Sequence, residues 1–371
     1  MRSIIVQGLA FGDESKGATV EKLCRELPVD LIVRFCGGCQ TAHHVVLEDG
    51  RSHCFSQFGS GMLVNNKIRT HLSRFMLVEP FSMMREADAL SKLTDNVWER
   101  TTVDRDCVIV TPIHRAVNRS RELRRGINAH GSCGRGIGVA REMQLKHGTD
   151  VVLTAKDLDY LDRNVIIDKL EFFLDEVREE IETRYSYSDL RKIAADYIKW
   201  PPELISGLEP AETMVFEGAQ GVMLDEKHGT APHNTWTNTT FENADTLLDE
   251  IGCKERMRIG CLRTYYTRHG AGPFPTENPN LDLPELHNSD DCFPGKFRVG
   301  HFDFPLAKHA LRIVGGVDYL AISHLDYLPR LGCHSEEAFL STTQHNLGTP
   351  IGMLGRGPTA AQRTISLEVP V

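Results

Sequence analysis

The sequence predicts an α/β fold with a large, mostly parallel central sheet flanked by helices and a phosphate loop after the first strand. Residues 3–7 (SIIVQ) and 31–35 (LIVRF) are short apolar runs typical of buried strands. Glycines follow each run, and residues 18–25 between them have a helical pattern. Strand, glycine loop, helix and strand in this order begin many parallel-sheet folds. Ligands of such folds bind at the carboxyl ends of the strands.

Later apolar runs predict further strands, each followed by a loop that carries Gly, His or Asp. These runs are residues 107–111, 213–217, 258–262 and 319–323. Residues 168–184 predict a helix that packs on the core through a stripe of Leu170, Leu174, Val177 and Ile181. Residues 278–291 are polar and contain proline, so we expect a surface loop there. Without a repeat or a linker, we expect one elaborated domain over residues 1–371.

The composition excludes several classes of protein. Of 371 residues, 41% are hydrophobic and 25% are charged, which is ordinary for a soluble globular protein. The net charge of −9 argues against a nucleic-acid partner. No stretch approaches the roughly 20 apolar residues of a membrane span, and Gly8 and Gly12 interrupt the short N-terminal apolar run. We therefore expect a cytoplasmic protein without a membrane partner.

The ten cysteines are scattered, as expected for free thiols in a reducing compartment. Cys36 and Cys39 form a C-x-x-C pair, which zinc sites and redox motifs also contain. A zinc site needs a second ligand pair at matching spacing, and the sequence has none. Because Gly37 and Gly38 separate the two cysteines, a tight backbone loop is the favoured interpretation.

The first motif with chemical potential is GDESKG at residues 12–17, directly after a predicted strand and before a predicted helix. Backbone N–H groups at such a helix start bind phosphate, and Lys16 adds a positive charge. The loop is not a Walker A motif, because G-x-x-x-x-G-K-S/T does not occur. Asp13 and Glu14 beside the lysine suit Mg²⁺ binding or proton abstraction. Taken alone, the motif is equally consistent with a helix start whose charges are solvated.

The second motif, RFCGGCQTAHH at residues 34–44, follows the next predicted strand. After its glycine pair come Gln40, His43 and His44, which can present an amide and an imidazole to one ligand. A lone histidine is usually structural. Here the glycine loop and its position beside the first motif favour a functional role.

Further strings continue this pattern: GRGIG at 134–138, EGAQGVMLD at 217–225, HGT at 228–230, TWTNTT at 235–240, TRHGAGPFPTE at 267–277, SHLD at 323–326 and GRGP at 355–358. Singly, glycine-rich strings are more often turns than sites. Jointly and in this order, they resemble the adenylosuccinate synthetase family from end to end. That family has GDEGKGK, GGHNAGHT, TTGRGIGP, EGAQG followed by LD and HGT, TRVGAGPFPTE, a threonine-rich TTTGR loop, TKLD and a terminal GP.

The resemblance implies a nucleotide-dependent ligase with a P-loop-related fold. In that reaction a purine 6-oxo group is phosphorylated at O6, and aspartate then displaces the phosphate. Asp13 corresponds to the base that removes the proton from purine N1, and His43 to the acid that assists phosphate transfer. Lys16 completes the implied catalytic set. Mg²⁺ is the implied cofactor, with Asp13 and the carbonyl of Ala42 as its ligands.

The resemblance also implies three binding sets. The donor nucleotide is expected at Gly12, Glu14, Ser15, Lys16, Gly17, Ala18, Thr19, Asp326, Gly355, Gly357 and Pro358. The substrate nucleotide is expected at Asp13, Ser15, Gln40, Thr41, Ala42, Ser132, Cys133, Lys146, Gln220, Thr235 and His269. Aspartate is expected at Gly295, Lys296 and Arg298.

Several positions depart from the family pattern. Ser15 replaces a glycine, Gln40 an asparagine, Cys133 a threonine and His324 the lysine of TKLD. The threonine-rich loop becomes CFPGK at residues 292–296 and loses its threonines and first arginine. The acid–base residues persist while residues around both nucleotides change, which predicts the same reaction on a different purine.

The departures resemble a viral branch of compact synthetases that act on deoxyguanylate and make a 2-aminoadenine precursor. dGMP has the N1–H and O6 of IMP, adds a 2-amino group and lacks the 2′-hydroxyl. This resemblance implies ATP or dATP as the donor instead of GTP, and the host cytoplasm as location. Two alternatives stay open: an ordinary synthetase of IMP, aspartate and GTP, and a non-catalytic nucleotide-binding relative. Asp13, Lys16 and His43 argue against the second, because a binder needs no acid–base pair.

The resemblance further implies a homodimer whose active site takes a cation from the neighbouring subunit. The arginine that does this in the family has no clear match here. Lys146 is the nearest counterpart and Arg141 is the other candidate.

Overall fold

The computed structural model describes residues 1–159, 162–182, 184–284 and 295–368. Its strands, in chain order, are β1 Arg2–Gly8, β2 Leu31–Arg34, β3 His43–Val46, β4 Ser52–Phe55, β5 Arg69–Leu72, β6 Leu77–Val78, β7 Thr101–Asp104, β8 Val108–Ile109, β9 Glu203–Ile205, β10 Thr213–Gly221, β11 Glu255–Arg263, β12 Tyr265–His269, β13 Phe297–His301, β14 Tyr319–Ser323, β15 Ile351–Gly355 and β16 Arg363–Ile365.

Ten of the strands form one sheet in the order β16-β15-β14-β11-β1-β10-β2-β5-β7-β9. Every neighbouring pair is parallel except β15 and β16 at one edge. The first strand lies in the interior, between β11 and β10, and all but its first residue are buried. The predicted α/β fold with a mostly parallel sheet is thus confirmed, and the loop after β1 leaves the sheet near its middle.

Helices flank this sheet: α1 Lys16–Glu26, α2 Pro80–Leu90, α3 Pro112–Arg125, α4 Ile137–His147, α5 Ala155–Asp159, α6 Arg163–Val177, α7 Tyr187–Tyr197, α8 Glu242–Glu250, α9 Phe304–Ile313 and α10 Glu336–Leu347. Apolar clusters fill the spaces between helices and sheet. Among the described residues, none of these helices is both long and apolar enough to cross a bilayer.

Two predicted elements differ from the structure. Residues 107–111 do not form a strand of the main sheet: only β8 is extended, and it pairs with β6 in a separate two-stranded sheet. The chain turns tightly after β7, where the Cys107 amide bonds the Asp104 carbonyl, so the apolar run lies outside the ten strands. The polar strand β7 occupies the sheet position instead.

The helix predicted over residues 168–184 is displaced, because α6 begins at Arg163 and ends at Val177. Asp162 accepts the Asn164 amide and so caps the start. The acidic residues that follow Val177 disfavour further helix, because they lie at the negative end of the helix dipole. The stripe still packs as predicted: Leu170 and Val177 are buried, and Leu174 and Ile181 lie against the same core.

Candidate active site

A cavity of about 750 Å³ opens at the carboxyl ends of the central strands. The loops after β1, β2, β10 and β14 all contribute to its lining. The predicted site residues that line it are Gly12, Asp13, Ser15, Lys16, Gly17, Ala18, Gln40, Thr41, Ala42, His43, Ser132, Cys133, Gln220, Thr235, His269, Asp326, Gly357 and Pro358. Residues that are far apart in sequence therefore share one concave site.

The phosphate loop has an unusual residue at the start of α1. Ser15 has φ 58° and ψ 33°, a left-handed conformation that glycine adopts freely and other residues adopt rarely. Its hydroxyl makes no capping hydrogen bond to the helix. The next residue, Lys16, donates its ammonium hydrogens to the Gly12 carbonyl at 2.6 Å and to the Glu14 carboxylate at 3.2 Å. The serine hydroxyl therefore stays available at the cavity wall.

Asp13 is held by groups from β12 and β11. Its Oδ2 lies 3.0 Å from His269 Nε2 and 3.5 Å from the Thr267 hydroxyl, and Arg263 donates to its backbone carbonyl. Burial raises the pKa of Asp13. The His269 hydrogen bond and the charges of His269, Arg263 and Lys16 more than offset burial and bring that pKa well below its usual range. At neutral pH the cavity therefore holds a carboxylate with 27% side-chain exposure, which can accept a proton or bind a cation.

His43 forms a buried pair with Glu217. The His43 Nδ1 atom lies 2.6 Å from Glu217 Oε1, and their side chains are 6% and 0% exposed. Burial lowers the pKa of His43 to about 4, although Glu217 raises it. Burial also raises the pKa of Glu217, but the charge of Arg34 and the bonds from His43 and Ser60 keep that pKa below its usual value. The carboxylate thus orients the imidazole, and Nε2 is left as the second nitrogen.

The part of the cavity next to His43 has polar atoms that the protein leaves unsatisfied. Both amide atoms of Gln40 and the Thr41 hydroxyl are buried and have no hydrogen-bond partner among the described residues. An unpaired buried polar atom costs about 1–3 kcal/mol, so such atoms indicate a polar ligand. The Cys36 thiol, in contrast, accepts the Ala219 amide at 3.1 Å and contributes to a compact loop.

Helix α3 holds the loop that carries Ser132 and Cys133. Asn118 donates to the Ser132 hydroxyl at 2.8 Å and accepts the Gly136 amide at 3.1 Å. Glu122 accepts the Gly131 amide at 2.9 Å. Two side chains from successive turns of one helix therefore fix this wall of the cavity before any ligand binds.

His324 and Tyr327 form an aromatic part of the cavity lining. Tyr265 and Tyr327 stack with ring centroids 5.6 Å apart, and His324 meets both rings edge-on. Burial lowers the pKa of His324 well below its usual value, so this imidazole is neutral. Asp326 follows at the cavity wall, where burial raises the pKa of its carboxyl. A flat heteroaromatic ring fits such a surface.

Some predicted site residues lie elsewhere. In the described part of the chain, Glu14, Thr19, Gly355 and Lys146 are outside the lining of the main cavity. Glu14 is buried beneath the phosphate loop, where it accepts the Gly12 amide at 2.7 Å. The Lys146 ammonium pairs with Glu176 on α6.

The residues expected to bind aspartate line a second cavity. Gly295, Lys296 and Arg298 surround a space of about 400 Å³ that shares Gly131 and Ala271 with the main cavity. Arg298 is already engaged with Glu277 and the carbonyls of Gly270 and Gly272. The first part of the altered loop, residues 292–294, lies outside the described residues.

Sequence reasoning missed several residues of the site. Glu217 opens the EGAQG string but carries no predicted role, and Arg268 lies within TRHGAGPFPTE. Arg268 donates to the carbonyls of Ala271, Pro273 and His233 and so shapes the lining. Trp236 lines the cavity while 49% exposed; it lies in the TWTNTT string, but of that string only its neighbour Thr235 had a predicted role.

The oxygen atoms of Asp13 and Ala42 are also suitable ligands for a hard cation such as Mg²⁺. The Asp13 carboxylate is ionised, and the Ala42 backbone lines the same wall. Mg²⁺ binds oxygen ligands and commonly takes one or two carboxylates, with substrate phosphates and water completing its shell. A single carboxylate beside a phosphate loop is compatible with this mode of binding.

The chain is similar in sequence to adenylosuccinate synthetases. A family model described as adenylosuccinate synthetase matches residues 5–332. The adenylosuccinate synthetase of Halothermothrix orenii is 30% identical over 363 residues, covering 89% of this chain and 79% of the relative. That of Shewanella halifaxensis is 31% identical over 356 residues, covering 89% of this chain and 78% of the relative.

Two solved structures are similar in fold. Fully ligated adenylosuccinate synthetase from Plasmodium falciparum has a TM-score of 0.84 at 18% identity, covering 98% of this chain and 99% of that chain. Succinoaminodeoxyadenylate synthetase of cyanophage S-2L, bound to dGMP and to dATP as an energy donor, has a TM-score of 0.68 at 18% identity. It covers 98% of this chain and 95% of that chain.

Proposed function

The chain belongs to the adenylosuccinate synthetase family of carbon–nitrogen ligases, and from this premise we propose that its nucleotide substrate is dGMP. The full reaction condenses dGMP with L-aspartate at the expense of ATP or dATP. It yields N6-succino-2-amino-2′-deoxyadenylate, a nucleoside diphosphate and phosphate. The product is a precursor of 2-aminoadenine nucleotides.

The first step follows from the position of Asp13. Its carboxylate accepts the N1 proton of the base, so negative charge develops on O6, which then attacks the γ-phosphate of the donor. His269 keeps this carboxylate oriented through the contact at Oδ2. A phosphorylated O6 is a good leaving group, and the aspartate amine displaces it as phosphate.

His43 is the proton donor in the phosphate transfer. In the ligand-free protein, burial keeps its pKa at about 4. A bound triphosphate adds negative charge beside the imidazole, which raises that pKa and favours the protonated form. Lys16 leaves Glu14 and the Gly12 carbonyl to meet the phosphates, because a triphosphate offers more negative charge than one carboxylate.

Asp13, the Ala42 carbonyl and the donor phosphates are the proposed ligands of Mg²⁺. When bound, the metal neutralises charge on the phosphates and orients them for transfer. The rest of the cavity supplies the shape and the hydrogen bonds that place the purine.

The observation that carries the choice of dGMP is Ser15. Ser15 lines the cavity together with Asp13 and Lys16, its hydroxyl is not used to cap α1, and it stands where the family has a glycine. A 2-amino group needs an acceptor when it is buried, and a serine hydroxyl can accept a hydrogen bond. The aromatic cluster of Tyr265, His324 and Tyr327, with neutral His324 in place of a lysine, is consistent with adenine as the donor base.

Ordinary adenylosuccinate synthesis from IMP and GTP is the second candidate. The relatives that cover 89% of this chain at 30–31% identity carry that name, and this observation favours it. Asp326 also suits guanine, because a carboxylate accepts the hydrogen bonds that the guanine edge donates.

Aspartate is proposed to bind in the second cavity, where Lys296 is the residue that can meet a carboxylate. Lys296 is exposed, and its ammonium makes no ion pair with any described residue. Arg298, by contrast, is occupied by Glu277 and supports the loop.

A homodimer is also proposed. Leu123, Leu145 and Phe172 are exposed apolar side chains on α3, α4 and α6, and Lys146 lies on α4 with Leu145. A partner subunit that covers them would receive Lys146 or Arg141 as the crossing cation. Full activity of a monomer at every dilution in size-exclusion and rate measurements would contradict this arrangement.

The deciding experiment is a substrate panel. IMP, dIMP, GMP and dGMP are each supplied with aspartate and with ATP, dATP or GTP, in Mg²⁺ and in EDTA. We expect succinylated product mainly from dGMP with ATP or dATP, and none in EDTA. Efficient conversion of IMP with dGMP inert would identify an ordinary adenylosuccinate synthetase.

A further inference from the structure

Residues 56–60, which we call the brace, are held along their backbone by the buried guanidinium of Arg34 and by the carboxyl group of Glu86, whose pKa burial raises to about 7. Arg34 Nη1 donates to the brace carbonyls of residues 56 and 58, at 3.2 and 2.8 Å. Glu86 accepts the amides of residues 56 and 57, at 2.8 and 2.9 Å. Hydrogen bonds to charged groups are about twice as strong as neutral ones. The brace is therefore fixed from both sides, and its last residue, Ser60, has a defined position.

Ser60 gives both of its donors to one carboxylate. Its amide bonds Glu217 Oε2 at 2.9 Å, and its hydroxyl bonds Oε1. The same Oε1 lies 2.6 Å from His43 Nδ1. Ser60 and Glu217 are both 0% exposed, so water cannot replace these contacts.

Ser60 and His43 also lie against Gly17 at the start of α1. A Cβ built on Gly17 would lie 2.6 Å from the Cβ of His43 and 2.9 Å from the Ser60 hydroxyl. The phosphate loop, the proton donor and the brace are therefore packed as one unit. A displacement of Ser60 is transmitted to His43 and to the phosphate-binding backbone.

We infer that Ser60 is a positioning residue for proton donation by His43, a role that rests on the proposed ligase function. Its two hydrogen bonds keep the Glu217 carboxylate ionised and stop it from rotating. The carboxylate then accepts the Nδ1 hydrogen of His43, and Nε2 is the nitrogen that gives its proton to the phosphate undergoing transfer. Ser60 itself contacts no reacting atom.

Removal of the Ser60 hydroxyl leaves Glu217 Oε1 with one donor fewer and lets the carboxylate rotate away from His43 Nδ1. The imidazole is then held less often in the orientation that proton donation needs, so turnover falls while nucleotide binding is retained.

The test compares Ser60→Ala with Ser82→Ala. The Ser82 hydroxyl also supports the brace, since it accepts from the Gln57 amide at 3.1 Å, but it does not bond Glu217. In Ser60→Ala we expect kcat to fall by about 10-fold, the effect of losing one hydrogen bond to a charged group. The KM for the nucleotide should change less than twofold. Ser82→Ala should keep the wild-type kcat. Ser60→Cys, which retains a weak donor of similar size, should give an intermediate kcat.

Nitrogen-15 NMR of the His43 imidazole, without nucleotide, gives a reading that needs no turnover. In the wild type the Nδ1–H form should dominate, and in Ser60→Ala the Nε2–H form should increase. An unchanged kcat and an unchanged tautomer in Ser60→Ala overturn the inference, as do equal losses of kcat in Ser60→Ala and Ser82→Ala. If no nucleotide is converted while the tautomer shifts as expected, the proposed function fails and the positioning role stands.

Discussion

The acid–base residues and the residues at the substrate wall of the cavity are prepared in opposite ways. Asp13 is bonded by His269 and Thr267, and His43 by Glu217. Gln40 and Thr41, on the same wall, keep buried polar atoms without a partner in the described chain. The first group is oriented by the protein before any ligand arrives. The second group becomes satisfied only when a ligand supplies the missing hydrogen bonds.

This difference separates reaction type from substrate choice. Groups that move protons need fixed geometry, since a misplaced base loses rate. Groups that recognise a substrate gain selectivity from an unpaired state, because a wrong ligand leaves them unsatisfied. We therefore expect variants of the first group to affect mainly kcat and variants of the second to affect mainly KM and the substrate ratio.

The largest effect is expected from substitutions of Asp13 and His43, the residues that the protein itself orients. Asp13→Asn keeps the shape of the side chain but removes the base, and turnover should fall by about two or more orders of magnitude. Nucleotide affinity, measured by calorimetry, should stay near the wild-type value. His43→Ala should lose turnover to a similar degree. Near-normal kcat in either variant would refute the assigned roles.

Gln40→Ala tests the second group, whose buried polar atoms have no hydrogen-bond partner among the described residues. Loss of the amide should raise the KM for the nucleotide by roughly 10-fold or more and leave kcat within a few-fold, as for a ground-state contact to a charged ligand. Gln57→Ala is the matched control. Gln57 is also a buried amide, but it is bonded to Glu79 and Ser82. Gln57→Ala should lower thermal stability and leave KM unchanged. A raised KM in both variants would show that the unpaired state of Gln40 is not what makes it a substrate-binding residue.

Ser15→Gly tests the substrate ratio directly. The wild type should prefer dGMP to IMP by roughly 10- to 100-fold in kcat/KM, because an unpaired buried amine costs about 1–3 kcal/mol. Ser15→Gly should narrow that ratio, mainly through weaker use of dGMP. The measurement is kcat/KM for both nucleotides in both proteins, with GTP and ATP as donors. If the dGMP-to-IMP ratio of kcat/KM is the same in Ser15→Gly and in the wild type, Ser15 does not recognise the 2-amino group.

The smallest effect concerns buried imidazoles outside the site. Burial lowers the pKa of His114 to about 3, and its Nδ1 accepts the Thr111 amide at 3.0 Å, which requires the neutral form. The unfolded chain binds that proton near pH 6.5, so stability should fall as the pH drops from about 6.5 toward 3. At pH 5 the loss should be about 2 kcal/mol. Urea unfolding at pH 7 and pH 5 should show a smaller loss of unfolding free energy in His114→Asn than in the wild type. An equal loss in both proteins would show that His114 is not its cause.

The sequence alone determined the α/β class, the phosphate loop and the family. Apolar strands followed by glycines produce these signals locally, and the long strings EGAQG and GAGPFPTE are specific. It also determined which residue types enter the site, because most of the predicted residues line one cavity. The short strands β5, β7 and β9 at one side of the sheet escaped prediction, since their sequences contain polar residues and do not form an apolar run.

Only the tertiary structure decided which groups meet. The pairing of His43 with Glu217 joins residues 174 positions apart, and the contact of Asp13 with His269 joins residues 256 apart. No local pattern encodes such distances, because they depend on the order of ten strands. Burial is also a tertiary property: the fold places Arg34 and Glu86 against the backbone of residues 56–60, where both form hydrogen bonds to it. The same burial leaves the Gln40 amide unpaired until a ligand binds.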